Sequence, residues 1–475
     1  MRRLLPVFLA VLLSGCMVGP NYHRPALTIP KAYRYEEKNA LDTANTEWWR
    51  QFDDPVLDSL IVEALADNKN IKIAAANVEQ AAGFLLQTRA PLFPQITYNG
   101  NAQRLRQSES ELGTLAPFVP NPANTFDLFG GASWEIDLWG RIRRLSQSAR
   151  ANLLATEEAR RGVILTLVSS VAGSYLELRG LDEQLEIARR TLASYGKSLR
   201  LFELKFAHGQ VSMMTVEQAR SQYETAAVAI PQIESRIVQT ENAICVLLGR
   251  NPGPVKRGKP LSRIAIPAIP AGLPSQLLER RPDLAQAEQN LIAANAQIGA
   301  AEALYFPSIS LTAALGVESP ELSDLFEGPA RTWSYAGNFV GPIFTAGAIW
   351  GQVKQAVASR EAALQSYKNA ILSAFSDVEN SLDARRKLAE QLQAQERLVT
   401  ALKDYDRLAW MQYNGGYTAY LTVLYAGEKL FPAELTCVQL RTSLLTSIVN
   451  IYKAMGGGWV NRAAKLTAPP AHPVR

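Results

Sequence analysis

Three short stretches of the chain alternate strictly between apolar and polar or small residues. Ile96, Tyr98 and Ala102 alternate with Thr97, Asn99 and Asn101; Ile309, Leu311, Ala313 and Leu315 with Ser308, Ser310, Thr312 and Ala314; Trp333, Tyr335 and Phe339 with small or polar neighbours. A period of two predicts β-strands. Apolar on one face and polar on the other suits a barrel strand in lipid, and also a half-buried strand of a soluble sheet. The segment from Phe126 to Leu138 fits this pattern least well. Elsewhere the pattern is helical. Ala- and Gln-rich helices are expected over 70–92 and 283–304, each ending ahead of Pro94 or Pro307. No proline then occurs from Ala123 to Ile230, nor from Ile343 to Phe431, and Leu165, Val168, Val171 and Tyr175 recur at the 3 and 4 spacing of coiled-coil packing. One helix breaker lies within each run, Gly209 after Gly140 and Gly416 after Gly347. At 1.5 Å per residue the 69 residues from Gly140 to Gly209, and from Gly347 to Gly416, would reach roughly 100 Å, which is a rod ending in a hairpin tip and not a globular core.

These elements occur twice. Residues 68–96 align without gaps on 281–309 at an offset of 213, while Gly140 and Gly347, Phe206 and Tyr413, Gly209 and Gly416, Ala219 and Ala426, and Gly249 and Gly456 align at an offset of 207. Six residues are therefore missing from the second copy between Pro307 and Gly347, which places a surface loop there. The first repeat, helix then two strands then long helices, spans 68–251 and the second 283–460. Between them, 252–282 holds seven of the 26 prolines and reads as an extended connector. Gly253-Pro-Val-Lys-Arg-Gly258-Lys259 imitates a phosphate-binding loop, but Pro260 stands where the Ser or Thr belongs and no strand precedes it, so no nucleotide site is expected.

Composition narrows the class. Forty-nine basic against 44 acidic residues leave +5 over 475 residues, too slight an excess to imply a nucleic-acid partner. With 47% hydrophobic and 20% charged residues the chain is not a disordered tail, a collagen or a disulfide-stapled miniprotein. Beyond the N-terminus no uncharged apolar run is long enough for a membrane-spanning helix; that leaves a β-barrel open. Arg2 and Arg3 precede the apolar run Leu4 to Leu13, the length of a signal-peptide core, so 1–15 reads as a signal peptide. It closes on Leu13-Ser14-Gly15-Cys16, which resembles the bacterial lipobox; the resemblance implies a covalent lipid on Cys16 and a lipidated segment with a first helix over 16–67. Met17, in place of the Asp that retains lipoproteins in the inner membrane, points by the same resemblance to the outer membrane. Cys245 and Cys437 read as small, unpaired core residues, and 461–475 as a flexible tail. His23, His208 and His472 are scattered, no His-Glu-x-x-His or Gly-x-Ser-x-Gly occurs, and the cysteine spacing suits no metal, so neither an enzyme nor a cofactor is expected. Met213-Met214 could suggest soft metal ions, on few methionines.

Two strands per repeat give four per chain. Four strands cannot close a membrane barrel, and an open edge in hydrocarbon leaves backbone groups unpaired at several kcal/mol each, so other copies must complete the sheet. Physics alone allows a dimer, a trimer or a larger ring. The start Cys16-Met-Val-Gly-Pro20-Asn-Tyr22-His-Arg24-Pro25, the Trp48-Trp49-Arg-Gln-Phe52-Asp-Asp54-Pro55-Val-Leu57 element, Trp134-Glu135-Ile-Asp137-Leu-Trp-Gly140-Arg141, Arg280-Arg281-Pro282-Asp283-Leu284 and Met455-Gly456-Gly457-Gly458-Trp459 together resemble the TolC/OprM-type outer-membrane efflux proteins, in their lipoprotein, NodT-like branch, over about 16–460. The resemblance implies a mixed membrane fold: a homotrimer whose twelve-stranded β-barrel continues into a periplasmic α-helical barrel. It implies a passive exit duct for drugs or other small toxic compounds, served by a periplasmic adaptor and an inner-membrane pump. A channel of a protein secretion system, a structural coiled-coil lipoprotein and a lipid-anchored periplasmic enzyme are the other readings. By the same resemblance Gly209 and Gly416 mark adaptor-contacting tips, and Thr215, Gln218, Tyr413, Thr422 and Tyr425 are the gate candidates. None is acidic; the family's gate aspartates, at the sixth and ninth residues after the glycine, fall here on Thr215, Gln218, Thr422 and Tyr425.

Overall fold

The computed structural model describes residues 17–27, 29, 30, 32–35, 46–108, 110, 119–267, 269, 274–456, 459, 460 and 463; the leader, Cys16 and nearly all of the tail lie outside them. In chain order come α1 (Pro55–Asp67), α2 (Lys69–Arg89), β1 (Gln95–Leu105), β2 (Ala123–Ile136), α3 (Arg141–Ala207), α4 (Met213–Leu248), α5 (Pro274–Arg280), α6 (Pro282–Glu302), β3 (Ser308–Ser319), β4 (Arg331–Val340), α7 (Ala348–Asn414) and α8 (Tyr420–Met455). The duplication is reproduced to the residue: α3 and α7 have 67 residues each, α4 and α8 have 36 each. The stretch between β3 and β4, 320–330, is six residues shorter than that between β1 and β2, 106–122, so the length difference between the repeats falls between their strands. The prolines that bound the proline-free runs do not end helices: α4 continues through Pro231 and α8 through Pro432. Each proline costs an internal hydrogen bond, and burial of Ile233 and Ile237 in α4, and of Phe431 and Ala433 in α8, offsets it. The connector is not extended throughout, because it contains α5.

The chain divides into two compact units, and each draws on both repeats; the divisions fall inside α2, α3, α6 and α7. In the first unit the four strands form one antiparallel sheet in the order β1-β2-β3-β4. Its registers make one face mainly apolar and the other mainly polar. Ile96 and Tyr98 of β1 lie on the same face as Leu128 and Trp134 of β2, Leu311 and Leu315 of β3, and Trp333, Tyr335 and Phe339 of β4. The opposite face carries Thr97, Asn99, Asn101, Gln103, Ser133, Glu135, Ser310, Thr312, Ser334 and Asn338. β2, the weakest match in the sequence, is paired on both sides. Its alternation is masked by Phe129 on the polar face and by Gly130 on the apolar one.

At the helical ends of the strands, Asp137 accepts from Ile142 N (3.0 Å) and Arg143 N (2.9 Å) and so caps α3. Trp139 stacks on Phe306 and donates its Nε1 to Pro307 O at 2.8 Å. The buried Arg144 fastens the N-terminal segment by donating to Val18 O (2.9 Å) and Gly19 O (2.8 Å). A Cβ on Gly19 (φ +91°) would lie 2.3 Å from Gly299 Cα, so only glycine fits there.

The second unit has its core around Trp48, which stacks on Tyr452 with centroids 5.1 Å apart. Asp54, itself buried, caps α1 through Val56 N (2.9 Å), and accepts from Tyr175 Oη (2.8 Å) and Lys259 N (3.0 Å). The loop that imitates a phosphate site thus turns its amide onto a carboxylate of its own chain. Both repeats close in the same way. Asn68 donates to Leu247 O at 2.7 Å and accepts from Ile71 N. Its counterpart Arg281 reaches the counterpart carbonyl, Ala454 O, at 3.2 Å while pairing with Asp283 and Asp377.

Candidate functional site

The long helices turn back at Gly209 and Gly416. Both glycines are left-handed (φ +72° and +79°), a conformation only glycine adopts without strain, and both stand in open space. The turns are twins: Gly209 N donates to Phe206 O and Gln210 N to Lys205 O, while Gly416 N donates to Tyr413 O and Tyr417 N to Gln412 O. This is the Schellman arrangement, which satisfies the last carbonyls of α3 and α7.

Behind the tips, still within the second unit, an aromatic cluster joins the two hairpins. Phe202 of α3 is fully buried against Tyr420 of α8, centroids 4.0 Å apart, and Trp410 and Tyr413 of α7 close around them. Lys205 lays its ammonium 5.0 Å from the Tyr413 ring centroid and donates to the Tyr413 hydroxyl at 3.2 Å. Tyr413 is therefore a tie between helices of one chain. The other gate candidates are placed differently. Thr215 lies 3.4 Å from Ser212 Oγ and Thr422 2.8 Å from Thr418 Oγ1, hydroxyl to hydroxyl. Gln218 is half-buried, and Tyr425 is 52% exposed. The structure brings Tyr413 into the cluster and leaves Tyr425 outside it.

Further from the tips, Gln222 donates to Leu424 O and Tyr195 to Gly427 O, both at 2.9 Å, stitching the first hairpin to the second. A cavity of about 310 Å³ beside them is lined by Arg190, Tyr195, Lys403, Asp406, Trp410 and Glu434 among others. The buried Glu434 carboxylate pairs with Lys403 at 3.0 Å and Arg190 at 3.3 Å. Burial, and then the nearby Glu434, raise Asp406 above the ordinary carboxylate range. Burial, followed by the charges of Asp406, Glu434 and Glu428, pushes Tyr195 up to about 12. Sequence reasoning missed Phe202, Lys205, Tyr195 and Glu434, since a lone charge or aromatic in a long helix carries no mark of the cross-hairpin partner it meets.

Cys16 lies outside the described residues. Cys245 is buried with its thiol toward Gly253 O, and Cys437 is half-buried; both are free. Met213 and Met214 are exposed on the first turn of α4. Among the described residues no group of His, Cys, Asp and Glu could hold a metal ion, and no helix is long and apolar enough to cross a membrane.

The sequence profile of the family described as "Outer membrane efflux protein" matches residues 60–250 and 273–457. The toluene efflux pump outer membrane protein TtgC of Pseudomonas putida is 37% identical over 466 residues, covering 96% of this chain and 95% of that protein. The cation efflux system protein CusC of Escherichia coli is 34% identical over 463 residues, covering 96% and 99%. Among solved structures, the outer-membrane channel OprN superposes with a TM-score of 0.85 at 30% identity, covering 94% of this chain and all of that one.

Proposed function

This chain belongs to the outer membrane efflux protein family, and from that membership we propose that it is the passive exit duct through which a tripartite pump expels drugs or other small toxic compounds. It is an outer-membrane channel reaching into the periplasm, and not an enzyme. The observation that carries the proposal is the sheet. One face is apolar and exposed, with Tyr98 89% and Tyr335 78% accessible, the other is polar, and both edges are open. Such a sheet suits lipid on one side, water on the other and identical neighbours at its edges.

In this reading three copies form the ring, a lipid on Cys16 anchors each, and the tips at Gly209 and Gly416 meet a periplasmic adaptor that links the duct to an inner-membrane pump. The channel closes where the hairpins converge. Tyr413 holds the two hairpins of one chain together through Lys205, while the exposed ring of Tyr425 and the polar side chains of Thr215, Gln218 and Thr422 meet neighbouring copies. The energised step belongs to the pump; the duct supplies a path. The experiment is a dye-efflux assay in cells that keep the pump and adaptor but lack this chain. Efflux of a fluorescent pump substrate should slow at least tenfold and recover when the chain is restored. An unchanged rate with the pump active would remove the chain from the pathway.

A further inference from the structure

The cavity of about 310 Å³ between the hairpins is walled by all four long helices of one chain: by Arg190 and Tyr195 of α3, Gln222 of α4, Lys403, Asp406 and Trp410 of α7, and Leu430, Phe431 and Glu434 of α8. Its volume falls at the lower end of the range of small-molecule sites, roughly 300–1,000 Å³. The two cations that face it are both engaged by one carboxylate, with Lys403 3.0 Å and Arg190 3.3 Å from Glu434. Asp406, partly buried one turn after Lys403, has no hydrogen bond or ion pair among the described residues. The Tyr195 hydroxyl beside it is spent on Gly427 O at 2.9 Å. Held away from water and next to Glu434, the Asp406 carboxyl lies above its ordinary range. The cavity thus contains a carboxylate without a counter-ion, together with the rings of Trp410 and Tyr195 and the apolar side chains of Leu430 and Phe431.

We propose that this cavity binds a small organic ammonium ion bearing an apolar ring, with Asp406 as its counter-ion and Trp410 and Tyr195 beside it, and that the bound ion holds the two hairpins of one chain together. Charge decides between the classes of molecule that the space would admit. An anion would meet Asp406 and Glu434, while Arg190 and Lys403 are already paired. A neutral molecule would take water from Asp406 and leave its charge uncompensated. An ammonium ion supplies the missing charge through charge-assisted hydrogen bonds, and aromatic rings nearby favour a cation further. Because the walls come from both hairpins, the free energy of binding is lost when the hairpins part, so the ligand opposes their separation. The site lies within one chain, and the inference therefore stands apart from the reading of the protein as an exit duct.

The test is isothermal titration of the full-length protein in detergent with phenethylammonium, using neutral phenethyl alcohol and anionic hydrocinnamate as charge controls. The ammonium should bind saturably, and about tenfold more tightly than either control. Asp406→Asn removes a charge that opposes folding, so the fold is kept, and should weaken binding about tenfold. Ser194→Trp fills the cavity from an exposed position of α3 and should abolish binding. Asp404→Asn, on the exposed side of α7 where Asp404 pairs with Arg407, should leave it unchanged. Saturating phenethylammonium should also raise the melting temperature of the parent and not that of Ser194→Trp. Either control binding as tightly as the ammonium overturns the ligand class. Equal binding by the parent and Asp406→Asn overturns the counter-ion, and no saturable binding, in protein with full helical circular dichroism, overturns the site. Binding that leaves the melting temperature of the parent unmoved overturns the bridge between hairpins.

Discussion

At the scale of single residues, the same job is done twice by different chemistry. Asn68 and Arg281 occupy equivalent positions and reach equivalent carbonyls, Leu247 O and Ala454 O, one as a neutral amide that also caps its helix and one as a partly buried cation with two carboxylates. Asn68→Ala should cost about 1–2 kcal/mol for the lost cap and bond. Arg281→Ala should cost about 1–3 kcal/mol, because Asp283 and Asp377 are half exposed and regain water. Helix melting followed by circular dichroism checks both; equal stability to the parent would show that the closures are ornamental. Asp406 titrates in the opposite sense to a paired carboxylate. Burial and Glu434 raise its folded pKa, so its charge opposes folding at neutral pH, and stability is gained as pH falls through that raised pKa toward the ordinary carboxylate value near 3.9. Asp406→Asn should therefore raise the melting temperature at pH 7, by a margin that shrinks as the pH approaches 4. A margin constant with pH would assign the gain to something other than this charge. Neither Asp406 nor its partners could be read from the sequence, where they are ordinary helix-surface residues whose meeting depends on how the hairpins pack.

At the scale of elements, most of the architecture was legible because it rests on period and punctuation. Alternation marked β1, β3 and β4, and the two left-handed glycines marked the hairpin tips at the residues where the helices turn. What was not legible had a physical reason in each case. β2 hides its alternation because Gly130 stands on its apolar face and Phe129 on its polar one. α4 and α8 outlast Pro231 and Pro432 because packing overrides local propensity. α5 arises within a proline-rich connector because Pro274 sits in its first turn, where a missing N–H costs nothing. Of the gate candidates, Tyr413 is bound to Lys205 within its own chain, whereas Tyr425 is exposed. The apolar face of the sheet gives a direct test. Leu311→Arg places a charge among Trp134, Gly337 and lipid, and should cost about 2–4 kcal/mol if it lies near the midplane. Ser310→Arg, one residue along on the polar face, should cost far less; heat-modifiable mobility on gels reads both, and equal losses would mean that the two faces are not lipid and water.

At the scale of the whole molecule, one chain holds a third of a pore in the reading given above, so its oligomeric state and its conductance stand or fall together. Native mass spectrometry in detergent should give three copies of the mature chain, each beginning at a lipid-modified Cys16; a stable monomer with full β content would contradict the argument from open edges. Closure at the tips should be cooperative. Each hydroxyl or aromatic tie is worth about 0.5–1.5 kcal/mol, and a closed ring repeats it in every copy, so one lost tie changes little and several open the gate. The most direct measurement is single-channel conductance in a planar bilayer for the parent, Tyr413→Phe, Tyr425→Ala and the double variant. The account predicts discrete steps of small size for the parent and each single variant, and steps several-fold larger for the double variant. Absence of discrete steps in every variant, from protein shown to be folded and assembled, would contradict the claim that this chain forms a channel.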